Sequence, residues 1–289
     1  MCNMKKGGRF VNNRIYCSTG CVIAPDNLWN EELIVSVCRD INADGFELMT
    51  VKPFYEKLSR VVSATERSGL FFPVIHLEKD IAVYLASDDT NEAKRGLELF
   101  KTCCTLGENI GAKRAVFHFW SGRVSDTRLE NNLRYLDILY GISLDHGLDL
   151  MIENVPCVKY DPITNLKKIS EKRADARFVY DTRFGEFHRQ NEIMLKSDWI
   201  KGKDVNGARI DHVHVSGYRG GEEKDFTSLR PILHLDEGVT DHKRLLEKLS
   251  SVYFGSITCE APAVVSGGID TDAINRDLEL IRACTKCLN

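Results

Sequence analysis

Leu148-Asp149-Leu150-Met151-Ile152-Glu153 is a short, largely apolar run that stops in a carboxylate. It is too short for a buried helix and too apolar for a loop. Such a run reads as a strand buried on both faces, the kind found in parallel sheets. Seven other runs share its form: Ile15 to Thr19, Phe46 to Met49, Phe72 to Leu77, Ala115 to Phe119, Phe178 to Asp181, Ile210 to Val215 and Ser256 to Glu260. The chain between successive runs is long enough for a crossover helix.

Those intervening stretches have helical periodicity. Glu92 to Leu106 sets Ala93, Leu97, Phe100 and Cys104 three or four apart. Leu133 to Leu144 repeats the stripe with Leu133, Leu136, Leu139 and Tyr140. Asp241 to Leu249 does so with Leu245, Leu246 and Leu249, and Asp241 is placed to cap it. Asp270 to Cys284 carries Ile274, Leu278, Ile281 and Ala283. Strand and helix alternating eight times predict an α/β fold with an all-parallel sheet. An open doubly wound sheet would offer a glycine-rich first turn for a phosphate. Ser18-Thr19-Gly20-Cys21-Val22 lacks that pattern, and eight units suit closure into a (β/α)8 TIM barrel. The irregular stretches 217–236 and 262–268 follow strands, where a barrel carries its active-site loops.

The bulk figures agree with one such domain. The chain has 289 residues, 43% of them hydrophobic and 28% charged, a globular composition. We expect residues 1–13 to form a tail and residues 14–289 a single barrel. The net charge of -3 does not advertise nucleic acid as a partner. No apolar run is long enough to span a membrane, and no secretory segment precedes the first strand. The 10 cysteines then read as reduced thiols of a cytoplasmic protein. Cys284 and Cys287 form a C-x-x-C, and Cys17 and Cys21 lie close together, but neither pair has the further ligands of a zinc site.

The polar residues carry the function. Glu47 lies in Gly-Phe-Glu-Leu-Met, His76 ends Phe-Pro-Val-Ile-His, and His118 ends Ala-Val-Phe-His. Glu153, Asp181 and Glu260 each end an apolar run, and His212 and His214 alternate in theirs, so both face one side of the strand. Alone, each has a plain structural reading: a hydrogen-bonded core histidine, or a carboxylate capping the next helix. Together they are harder to dismiss. In a closed parallel barrel these ends converge on one face, and buried carboxylates gathered there repel unless a cation joins them. One divalent metal ion resolves the conflict. His146 and His242 lie in helical surroundings and read as packing or surface residues. His188 and His234 follow strands and are candidates for substrate contact.

These residues resemble the xylose-isomerase-like barrels, which include sugar and sugar-phosphate isomerases and epimerases, inosose dehydratases and endonuclease IV. The resemblance runs from Tyr16 to Ile281. Its carriers are Ile-Glu-Asn (152–154), Tyr-Asp-Thr (180–182), His-Val-His-Val (212–215) and Cys-Glu-Ala-Pro (259–262). Asp-Glu-Gly (236–238) resembles the family's turn before the last helix. The resemblance implies that Glu153, Asp181, His214 and Glu260 hold one ion: Mn2+, Mg2+, Co2+ or Zn2+. It implies that Glu153 and Glu260 are the acid/base pair of a sugar, sugar-phosphate or cyclitol isomerase or epimerase working through an enediolate. Loss of a β-hydroxyl from that enediolate would give a dehydratase. His76, His118, His188, His212, His234, Glu47 and Arg219 become substrate contacts. Arg183, Arg219 and Lys52 are candidates to hold a phosphate or carboxylate, and Trp120 either stacks on a sugar or packs the rim. Many relatives are homo-oligomers.

Two departures bear on the alternatives. After Asp181-Thr182 the sequence continues Arg183-Phe184, where the family often has a histidine two residues on, and the nearest one is His188. The Asp-Arg-His motif that completes the zinc site of endonuclease IV is missing from Ser228 to His234. A zinc phosphodiesterase acting on abasic DNA is therefore the alternative. It needs about three zinc ions and a basic crescent. A barrel that binds a ligand without catalysis is the other, and the presence of both Glu153 and Glu260 speaks against it.

Overall fold

The computed structural model describes residues 13–201, 207–222, 224–266 and 268–285. The expected tail up to residue 12 and Cys287 lie outside the described residues.

Eight strands form a closed, all-parallel barrel in chain order: β1 (Arg14–Ser18), β2 (Gly45–Met49), β3 (Val74–His76), β4 (Arg114–Phe117), β5 (Asp149–Glu153), β6 (Arg177–Asp181), β7 (Ile210–Val215) and β8 (Ser256–Cys259). β8 closes on β1 with Ile257 opposite Ile15 and Cys259 opposite Cys17. Every predicted strand is present, with ends shifted by no more than two residues. The ring is wrapped by α1 (Leu33–Ser36), α2 (Leu58–Ser68), α3 (Asp80–Leu85), α4 (Thr90–Asn109), α5 (Leu129–Leu133), α6 (Leu136–Asp145), α7 (Pro162–Lys172), α8 (Thr182–Phe187), α9 (Asn191–Lys196), α10 (His242–Ser250) and α11 (Thr271–Thr285). No helix among the described residues is long and apolar enough to cross a membrane.

The sequence predicts one helix from Leu133 to Leu144. The chain instead breaks at Arg134 and Tyr135, whose N–H groups bond three residues back, to Asn131 and Asn132. That tighter turn separates α5 from α6. Asp241 caps α10 as expected, its side chain accepting from Arg244 N. His146 ends α6 and pairs with Glu108, and His242 opens α10 and is buried.

Alternate strand residues point into the barrel, and their chemistry changes with height. Tyr16, Val74, Val116, Met151 and Val179 form a dry layer. Towards the carboxyl ends the interior turns polar, with Glu47, His76, Glu153, Asp181, His212, His214 and Thr258, all fully or nearly fully buried. The outward residues pack on the helices as one continuous apolar cluster. The apolar floor and helical coat fix the strand ends, so the polar layer is held on a rigid ring.

Candidate functional site

Four strand ends bring the principal groups together. Glu153 is the last residue of β5, Asp181 of β6, and His214 lies one before the end of β7; their donor atoms all lie within 4.8 Å of one another. Glu260 follows β8, pinned by its backbone N–H donating to Val215 O at 2.9 Å. Its carboxylate stands 3.5 Å from His214 Nδ1 and is 15% exposed. Glu153 and Asp181 are closed off from solvent, so Glu260 is the member of the set that faces the open side.

Glu153 is shared. Its Oε1 lies 2.9 Å from His214 Nδ1 and its Oε2 lies 2.6 Å from His118 Nε2, with His76 Nε2 at 3.4 Å. Burial opposes its charge, but the positive His214 and its hydrogen bond, with His118 close to Oε2, prevail and hold it well below the usual carboxylate range. Burial also opposes a charged His214, yet Glu47, Glu260 and Glu153 raise it well above a normal imidazole. His118 is pushed down to about 3, mainly by burial, and is neutral. The ring of His76 donates through Nδ1 to Leu77 O at 3.0 Å, which turns Nε2 toward Glu153.

Asp181 realises two of its readings at once. Its Oδ1 accepts the N–H groups of Arg183 and Phe184, capping α8 at 2.6 and 3.1 Å. Its Oδ2 is buried without a hydrogen-bond partner. Burial and the nearby Glu153 and Glu260 lift its pKa to about 7 despite Arg183. An unpartnered buried carboxylate oxygen, two more carboxylates and an imidazole form a donor set with a place for a cation. The residues present therefore fit a divalent ion held by Glu153, Asp181, His214 and Glu260. Asn154 steadies the group by clamping Asp181, accepting its N–H at 2.5 Å and donating to its carbonyl at 3.1 Å.

Two further triads adjoin this set. Glu47, His212 and His214 form one, and His76, His118 and Glu153 the other. His212 is fully buried between Ser256 Oγ, at 2.7 Å, and Glu47 Oε2, at 2.9 Å. It therefore lies beneath the site, with Glu47 and His214 above it, and cannot reach a substrate as its sequence position suggests. Glu47 is fully buried in the same layer.

A cavity of about 1180 Å³ opens beside this donor set, lined by His118, Glu260, Arg183 and Phe184 among others. Several expected substrate contacts are not among its lining. Trp120 is fully buried, its Nε1 donating to Val155 O, so it packs the rim. The tryptophan that lines the cavity is Trp29. His234 turns to Asp277 of α11 at 2.6 Å, and His188 accepts the N–H of Cys157. Arg219 is exposed on its loop, and Lys52 pairs with Asp80. Arg183 lines the cavity, but its guanidinium donates to Ser216 Oγ and Leu229 O. In their place the cavity presents Lys79, Arg123 and Arg230, which sequence reading passed over because loop lysines and arginines are ordinarily solvated.

Comparison with known proteins follows the same lines. The family model for xylose isomerase-like TIM barrels matches residues 35–284. A search of curated proteins found no matching sequence. Among solved structures, a D-tagatose 3-epimerase-like protein superposes with a TM-score of 0.66 at 17% identity, over 94% of this chain and 98% of that one. A D-allulose 3-epimerase from Methylomonas sp. gives 0.66 at 16%, over 94% and 98%. A 3-keto-D-glucoside 4-epimerase from E. coli gives 0.64 at 14%, over 94% and 100%. At such identities the likeness is one of fold.

Proposed function

Because the chain belongs to the family of xylose isomerase-like TIM barrels, we propose that it is a divalent-metal-dependent isomerase or epimerase of a sugar, sugar phosphate or cyclitol. The observation that carries this reading is the meeting of Glu153, Asp181 and His214, with Glu260 beside them lining the cavity. An ion held there would polarise a substrate carbonyl and acidify the neighbouring C–H. Mn2+, Mg2+ or Co2+ suits these donors, and zinc is tolerated.

The chain's own groups supply the proton transfers. Glu260, the exposed carboxylate, takes a proton from the carbon beside the carbonyl, leaving an enediolate. Glu153, whose Oε2 lies 2.6 Å from His118 Nε2, is the group that returns a proton; it enters the turnover protonated and leaves it ionised while Glu260 does the reverse. Return to the opposite face gives epimerisation, and return to the neighbouring carbon gives isomerisation. Arg183 and Asn154 keep Asp181 in place while this happens.

The test is exchange of solvent deuterium into a panel of ketoses, inososes and their phosphates, with metal content measured alongside. We expect exchange at the carbon beside the carbonyl, about one metal per chain, and loss of exchange in Glu260→Gln. Unchanged exchange in that variant removes Glu260 from the mechanism. The His76–His118–Glu153 triad favours a second reading, a zinc phosphodiesterase. Three zinc ions per chain and cleavage of abasic DNA would select it.

A further inference from the structure

The walls of the cavity do not suit a neutral sugar. Lys79 follows β3, Arg123 follows β4 and Arg230 follows β7, and all three are exposed and line the same cavity. None of the three makes an ion pair among the described residues. Other cations of the neighbouring loops do pair: Lys52 with Asp80, and Lys57 and Arg60 with Glu31.

Against these cations the described residues of the lining set one carboxylate, Glu260. Among the described residues that line the cavity there is no asparagine or glutamine, the side chains that offer a hydroxyl both a donor and an acceptor. Its neutral hydroxyls are Ser18 and Ser121, and most of the rest is apolar. This excess of positive charge stands in a chain whose acids outnumber its bases, 42 to 39. Unpaired cations from three separate loops, gathered in one concavity, raise its potential and draw in an anion.

We propose that the substrate is anionic, a sugar or polyol bearing a phosphate or a carboxylate, and that Lys79, Arg123 and Arg230 select it. The sugar part of this statement rests on the function proposed above; the anionic part rests on the cavity wall.

The experiment is calorimetric binding of D-fructose, D-fructose 6-phosphate and D-glucuronate to Mn2+-loaded protein. Inorganic phosphate is titrated into EDTA-treated protein, so that binding reports the side chains alone. At least one anionic sugar should bind about tenfold or more tightly than fructose at low salt. The advantage should vanish in the variant Lys79→Ala/Arg123→Ala/Arg230→Ala, and in about 0.5 M NaCl. Arg219→Ala, an exposed charge outside the cavity, should leave it intact. Whichever anion binds better names the group. If the triple variant fails to fold, the three single variants carry the same comparison.

Fructose binding as tightly as both anions would overturn the proposal. So would an anion preference that survives the triple variant, failure of every anion to bind, or preferential capture of an abasic DNA duplex. Deuterium exchange scores the isomerase reading separately. Anion preference without exchange sinks that reading and leaves this one standing; exchange into a neutral ketose with no preference does the reverse.

Discussion

Nε2 of His214 lies 3.1 Å from Oε2 of Glu47, on the edge of the ring turned away from Glu153. The contact ties up one ring nitrogen below the proposed ion site. With Nε2 donating to Glu47, the Nδ1 side is presented to Glu153 and Glu260. Glu47 is itself held by Thr258 Oγ1 at 3.0 Å and by His212. It is a positioning residue, touching neither the cavity nor the donor set beyond His214.

Glu47→Gln keeps the shape and removes the charge that orients His214. Metal affinity, measured by calorimetry with Mn2+, should fall about 10- to 100-fold. Far-UV circular dichroism should stay unchanged, because the replacement is isosteric. An affinity equal to that of the parent would show that His214 is oriented by packing alone.

Asp181 supplies a second check, through stability. A ligand that binds only the folded state at about 100 times its dissociation constant adds about 2.7 kcal/mol. In a chain of this size that is a rise of roughly 4–5 °C in the melting temperature. Asp181→Asn can still cap α8 through Oδ1 but loses the carboxylate oxygen that has no hydrogen-bond partner within the protein. The Mn2+-induced rise should disappear in the variant, while α8 stays folded. A full shift in Asp181→Asn would exclude the residue as a ligand.

The order of strands and the polar layer were legible because both follow from local pattern. A buried parallel strand is a bare apolar run, and its end is marked where a residue such as Glu153 or Asp181 breaks it. Parallel closure then brings those ends together whatever the loops do. The cavity wall was not legible. Whether Lys52, Arg219 or Lys79 faces a substrate depends on where its loop turns, and nothing local distinguishes them. Lys52 is taken up by Asp80, three-dimensional information that spacing does not carry. Trp120 and Trp29 show the same limit. The first directly follows the fourth strand yet is sealed by Val155, while the second comes from an irregular stretch after β1 and reaches the cavity.

Gly238 ends the Asp-Glu-Gly turn ahead of α10. Its φ is +83°, and a Cβ there would stand 2.1 Å from Tyr218 O. Gly69, at the end of α2, has a φ of +65° with nothing within 4 Å of the same position. Alanine at either site pays for the left-handed backbone, about 1 kcal/mol. At Gly238 it also collides with a carbonyl that cannot swing away, because Tyr218 O accepts the N–H of Val239. In urea denaturation Gly238→Ala should therefore lose about 1–3 kcal/mol more than Gly69→Ala. Equal losses would show that the loop relaxes freely.

Asp126 holds the loop after β5 by accepting three successive backbone N–H groups, those of Val158, Lys159 and Tyr160, each at 2.8 Å, and Asn165 Nδ2 at 3.0 Å. Burial opposes its charge, but those donors prevail and keep its carboxyl below the usual aspartate range. The sign of the linkage follows. A carboxyl depressed on folding contributes stability above its unfolded value, about 3.9, and that stability is lost as the pH falls through the lower folded value. Asp126→Asn should cost about 2 kcal/mol at pH 7, since an amide keeps one acceptor where a carboxylate has two. The difference between parent and variant should shrink as the pH falls below about 4. Val155, Pro156 and Val158 line the cavity from this loop, so a loosened loop should also weaken ligand binding at neutral pH. Urea titrations of both proteins across pH 3 to 7 decide the matter: a gap that stays constant with pH would mean that Asp126 acts through its shape and not through its charge.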